Sequence, residues 1–336
     1  MKDFHCACGG RVFFDNDKCL NCGRLLGFDP HALTLIALEN SGNSAVWAAA
    51  SPGGYGAYRC CANREQHCNW ILPESDAGPY CVSCRLTQTI PNLAFAKNKV
   101  GWGKLEAAKR RLLYGLISLG LSVEDGYLQF EFLEDKATNP LVRDWHVYTG
   151  HKDGVITINV AEADDASREA IRKAMGESYR TLLGHLRHES GHYYQIHVVN
   201  TDAARAEYRQ LFGDDGGDYE AALTRYYQEG PPANWAENYI SRYASCHPRE
   251  DWAESWAHFL HIADTLETGR CAGWLSAETG MQSGDWMSDW SDASIWLNEM
   301  NRSLGLENAY PFTLTPKTVE KLEFIRRQVG YLTAPR

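Results

Sequence analysis

Nine of the chain's 11 cysteines fall before residue 85, so the start of this 336-residue protein must fold by a different rule from the rest. Cys6-x-Cys8 and Cys19-x-x-Cys22 are two close pairs separated by ten residues, the spacing by which two knuckles grip one tetrahedral Zn²⁺. Gly9-Gly10 and Gly23 suit tight turns beneath those sulfurs. Cys61, Cys68, Cys81 and Cys84 make a second set that ends in another CxxC, with a wider first pair and with Cys60 able to stand in for Cys61. Segments of about 20 to 25 residues bury too little apolar area to fold alone, and a zinc held by four thiolates supplies the missing stability while leaving no open position for catalysis. Disulfides are the competing use of eight paired cysteines. The start of the chain, residues 1–6, lacks the charged-then-apolar order of a secretion signal, so a reducing cytoplasm and metal binding are expected.

Composition sets outer limits. The chain is 44% hydrophobic and 23% charged, enough for one substantial core plus a small module. No apolar run approaches the ~18 residues that cross a bilayer, so no membrane association is expected. A net charge of −10 argues against tight nucleic-acid binding by the whole molecule. Lys109-Arg110-Arg111 reads as a solvated helix face rather than a basic patch. Zinc ribbons also bind proteins or their own neighbouring domain, which leaves a protein partner as a use for this module.

The chemistry-bearing motif is His188-Glu189-Ser190-Gly191-His192. Residues four apart stack on one helical face, so both imidazoles can reach one Zn²⁺ while Glu189, about 100° round, can reach a water beside it. Proline is absent from 166 to 197, and Leu182, Leu183, Leu186 and Tyr193 fall opposite the histidines, as in a core helix that turns its ligand face into a cleft.

Pro91 is the expected boundary, dividing a tandem zinc-ribbon module, 1–90, from a mainly helical domain with a small β-sheet, 91–336; the fold class is α+β. The apolar period predicts a helix over 100–119, strands over 127–132 and 155–160, and a third strand over 145–148. Residues beyond 201 read as helical, ending in a packing helix over 315–329. Residues 213–218, Gly-Asp-Asp-Gly-Gly-Asp, lack the spaced ligands of a calcium loop and read as a solvated turn. Gly150-His151 could border a substrate groove.

A catalytic zinc needs a third protein ligand and an open fourth position. The long HExxHxxGxxH pattern fails here, since Tyr194-Gln195 replaces the turn glycine and Val198 its last histidine, so the ligand must come from downstream. Over 247–258, Pro248 suits a first helical turn, and Glu250, Glu254, His258 and His261 form one polar stripe against Trp252, Trp256 and Phe259. Spacing alone permits either Glu250 or Glu254 as the ligand.

HExxH followed by Glu-x-x-x-Glu in a second helix resembles the gluzincin metallopeptidases, and Tyr243, Glu250 and Glu254 resemble the lethal-factor type of array. Residues 184–194 and 247–254, with the cysteine-rich start, resemble the bacterial zinc-binding metallopeptidases that carry an N-terminal zinc ribbon. That resemblance implies a zincin-like domain with His188, His192 and Glu250 as ligands of one catalytic Zn²⁺, alongside two structural ones. It implies that Glu254 orients a ligand imidazole and that Tyr243 faces the developing oxyanion. The expected reaction is amide hydrolysis of a peptide or protein substrate, with Glu189 as general base. A zinc-ribbon adaptor with an inactive peptidase fold and a zinc amidase acting on a modified small substrate are the alternatives.

Overall fold

The computed structural model describes residues 2–42, 45–50, 56–136, 139, 141–143, 147–175, 179–276, 281 and 284–333. Its elements are strands β1 (Phe4–His5), β2 (Arg11–Val12), β3 (Leu25–Asp29), β4 (Thr34–Asn40), β5 (Trp47–Ala49), β6 (Ala57–Cys60), β7 (Ile71–Pro73), β8 (Thr87–Thr89), β9 (Gln129–Leu133), β10 (Gly150–Lys152) and β11 (Val155–Asn159). The α-helices are α1 (Val82–Arg85), α2 (Ala96–Ser118), α3 (Asp165–Met175), α4 (Leu182–Val198), α5 (Asp202–Leu211), α6 (Tyr219–Glu229), α7 (Trp235–Asn238), α8 (Pro248–Cys271), α9 (Trp286–Ser303) and α10 (Pro316–Thr333). An N-terminal zinc-ribbon region is thus followed by a largely helical domain with small sheets.

The chain packs as two compact units, one holding 1–150 and 155–165 and the other 151–154 and 166–336, so Pro91 falls inside the first. The physical reason lies in α2, which packs with the cysteine-rich region. Its Tyr114 is buried in an aromatic cluster with Phe14 (ring centroids 5.3 Å apart) and Phe28 (5.9 Å), and Phe28 packs in turn on Trp70 at 5.1 Å. Earlier on the same helix, and against the expected solvated face, Lys109 and Arg110 are buried; Lys109 pairs with Glu106 at 3.0 Å and lies over the Phe130 ring of β9.

From Leu25 to Pro73 runs a five-stranded antiparallel meander, β3 to β7 in order, whose first four strands separate the two cysteine sets and whose last lies between Cys68 and Cys81; the spacing of cysteines did not announce it. Ile36, Leu38, Tyr58 and Ile71 make its core. Strands β8, β9 and β11 pair in parallel, with β9 in the middle. The strand expected over 145–148 is not found: Trp145 and His146 lie outside the described residues, Val147 and Tyr148 are not in a strand, and β10 begins at Gly150.

In the second unit α4 and α8 pack along each other, and α10 covers both. The proline-free stretch 166–197 holds parts of two helices, α3 and α4, and Thr181 caps the second: its hydroxyl accepts from the Gly184 amide at 3.0 Å. Leu186 and Tyr193 are buried as the pattern required, whereas Leu182 and Leu183 in the first turn are only half-buried. Helix α8 starts at Pro248, with the His247 Nδ1 accepting from the Arg249 amide at 3.2 Å. The two helices meet at Gly191, where an added Cβ would stand 2.9 Å from the Ala253 Cα. Trp252 donates to the Gly191 carbonyl at 2.8 Å and Trp256 to the Ser190 hydroxyl at 3.1 Å, which fixes the register of α4 on α8. No helix among the described residues is long and apolar enough to cross a membrane.

Candidate metal centres

His188 and His192 lie one turn apart on α4, and Glu250 comes to them from the first turn of α8. A ligand atom from each lies within 4.8 Å of the others. The His188 Nε2 stands 3.0 Å from the Glu250 Oε2, and the His192 Nε2 stands 3.4 Å from the Glu250 Oε1. Edges of a tetrahedron with bonds of about 2.0 Å are about 3.3 Å long, so these atoms are spaced for one small cation. Glu254 does not join the set. One turn further along α8, its Oε1 accepts from the His188 Nδ1 at 2.7 Å, which leaves that imidazole's Nε2 to face Glu250.

Two observations test whether a metal fits. The Glu250 Oε2 is buried and, despite its 3.0 Å approach to His188, has no hydrogen-bond partner. The field at the site also favours positive charge. Burial opposes ionisation of His188, but Glu250 and Glu254 override it and hold the imidazole well above its ordinary pKa. Burial likewise opposes ionisation of Glu250, yet His188 and His192 hold that carboxyl well below its usual range. A divalent cation would satisfy both the orphaned oxygen and the field.

The remaining expected residues fall around this point. Glu189 is nine-tenths buried, and its carboxylate makes no hydrogen bond to protein among the described residues. Tyr243 sits in a single 3-10 turn, Tyr243–Cys246, with its ring 6.1 Å from that of His188. Burial first, then the charge of Glu250, pushes its phenol far above the ordinary range, so it stays a proton donor. The His151 ring stacks 6.4 Å from that of His192, and its Nε2 accepts from the Gly154 amide at 3.2 Å. Burial, then His192, lowers its pKa to about 4, leaving a neutral ring with its proton on Nδ1.

The expected polar stripe of α8 does not all face the ligands. His261 Nδ1 accepts from Arg187, which also pairs with Asp264 at 2.6 Å, and His258 Nδ1 shares a hydrogen bond with the Tyr310 hydroxyl at 2.8 Å. A helix bearing four polar residues along one edge turns enough over three turns that its far end meets other neighbours. His197 packs on Tyr193, with ring centroids 4.7 Å apart. One residue absent from the sequence reading belongs to the site. Tyr219, the first residue of α6, donates to the Glu250 Oε1 at 2.9 Å.

The cysteines form two further groups, Cys6, Cys8, Cys19 and Cys22, and Cys61, Cys68, Cys81 and Cys84, with Cys61 rather than Cys60 in the second. Sulfurs lie 3.7 Å apart in the Cys6/Cys22, Cys8/Cys19 and Cys68/Cys81 pairs. A disulfide needs about 2.05 Å, whereas the edge of a tetrahedron with Zn–S bonds of about 2.3 Å is about 3.8 Å. All four cysteines of the second group are buried, while in the first Cys22 is exposed and Cys8 half-buried.

Two histidines and a carboxylate on facing helices, in a chain that also carries two four-cysteine groups, are the features of a zinc-binding metallopeptidase type of protein. Residues 98–328 match the family described as "Putative zinc-binding metallo-peptidase", and residues 3–95 match a zinc-ribbon domain. The chain belongs to that metallopeptidase family. It is 37% identical over 346 residues to an uncharacterised protein of Mycobacterium tuberculosis and equally to one of Mycobacterium bovis, a match that covers 98% of this chain and 95% of the relative. No solved structure matches it.

Proposed function

We propose that the protein is a zinc-dependent peptidase that hydrolyses peptide bonds at the centre formed by His188, His192 and Glu250. The observation that carries this reading is the convergence of those three side chains around a buried carboxylate oxygen without a partner, with Glu254 holding the far side of His188. Zinc bound there supplies Lewis acidity, polarising a carbonyl and making a water acidic near a pKa of ~7. Glu189 takes the proton from the attacking water and delivers it to the departing amine. Tyr243 donates its hydroxyl proton in a hydrogen bond to the substrate oxygen as charge develops there. Two further zinc ions, in the cysteine groups, serve structure.

Glu189→Gln is expected to keep its zinc and to lose peptide hydrolysis by ~10²–10⁴-fold, the usual contribution of a positioned general base. Cleavage of a peptide library, read by mass spectrometry beside metal analysis of the same preparation, checks this. Undiminished turnover in the variant would end the proposal.

A further inference from the structure

Tyr219 is 31 residues from Glu250 in sequence, yet its hydroxyl is the hydrogen-bond donor on one of that carboxylate's two oxygens, Oε1, at 2.9 Å, while the other oxygen, Oε2, is buried and unpartnered. The two oxygens of one carboxylate are therefore in different states. Oε1 accepts from Tyr219 and has the His192 Nε2 3.4 Å away, whereas Oε2 has the His188 Nε2 at 3.0 Å and no hydrogen-bond partner.

The placement of Tyr219 is itself built. The acidic turn before α6 is tied to the motif helix, because Gln195, three residues past His192, donates to the Asp215 Oδ2 at 2.9 Å. Asp218 then caps α6, accepting from the Ala221 amide at 3.1 Å. The Tyr219 ring packs edge-on against His247, the residue that caps α8, with centroids 5.2 Å apart. At the other end of the turn, Gly213 has φ +107 and faces Pro248, with 3.2 Å between an added Cβ and the proline Cγ. A turn that reads as solvated is thus pinned to both helices that carry the candidate ligands.

We infer that Tyr219 is a positioning residue that holds the Glu250 carboxylate so that it offers a metal a single oxygen, Oε2. This rests on the reading of His188, His192 and Glu250 as a zinc centre. A carboxylate free to swing would close both oxygens on the metal and fill the position that a catalytic site must keep open. The hydrogen bond prevents that and sharpens the ligand's orientation.

The test uses the full chain with its cysteine sites loaded and the histidine site emptied by a moderate chelator, then refilled. In Tyr219→Phe the ring and its packing remain and only the hydroxyl is lost. Competition against a chromophoric chelator is expected to show zinc held ~10–100-fold more weakly than in wild type. The thermal midpoint of the emptied protein should be unchanged. Refilled with Co²⁺, the wild type should give the intense visible bands of four-coordination, and Tyr219→Phe the weaker bands of five. Equal zinc affinity and equal cobalt spectra in the two proteins would overturn the inference. His188→Ala keeps this distinct from the reading beneath it. If that variant binds as much zinc as wild type, the centre itself is misread; if it loses one zinc per chain while Tyr219→Phe matches wild type, only the role of Tyr219 fails.

Discussion

His188 is held from two sides by carboxylates that do different things, and the division of labour is set by which ring nitrogen each one meets. Glu254 accepts a hydrogen bond from the Nδ1 of His188 at 2.7 Å, so the nitrogen that would give up its proton to a metal is Nε2. Removing that acceptor frees the ring to rotate and to exchange tautomers. Glu254→Ala is therefore expected to weaken zinc binding at this centre by ~10–100-fold and leave the cysteine sites loaded, as chelator competition on the two proteins would reveal. Retention of full affinity would mean that packing alone orients the ring. The two glutamates are one helical turn apart and chemically identical, which is why spacing could not choose between them. What separates them is the position of α8 along α4, a tertiary fact.

That position is fixed where the helices touch. Gly191 has no side chain because Ala253 and Trp256 occupy the space, and the tryptophan indoles of residues 252 and 256 bond to the same stretch of α4. A methyl group at residue 191 must displace backbone rather than the end of a flexible chain. Gly191→Ala should cost about 1–3 kcal/mol in stability and loosen the metal with it, measurable as a lower thermal midpoint and a faster zinc loss to chelator; an unchanged midpoint would show that the helices can slide apart freely. Local patterns made much of this element legible. The HExxH spacing, the Pro248 start and the apolar faces of α2, α8 and α10 all follow from chain-local chemistry. Tyr219 was not legible, since its partner is far along the chain and no spacing rule connects a turn to a helix end. The meander β3 to β7 escaped notice because attention to cysteine spacing says nothing of the strands that run between and among the sulfurs, and the packing of α2 was hidden because Tyr114 meets Phe14 and Phe28, residues far from it along the chain.

Across the whole molecule the cysteine groups differ in shelter. Every member of the second is buried, whereas the first has Cys22 at the surface and Cys8 partly so. Zinc should accordingly leave in order, first ribbon before second, as a thiol-reactive reagent is added. Native mass spectrometry combined with mapping of the alkylated cysteines checks this, and attack on Cys61 or Cys68 ahead of Cys8 and Cys22 would contradict it. The difference gives the protein a direction of wear. Oxidants should therefore meet the N-terminal knuckle first, where reductant and fresh metal can also reach the sulfurs to restore the site. Damage at the inner site needs the surrounding structure to open first, so it is rarer and, once done, harder to undo.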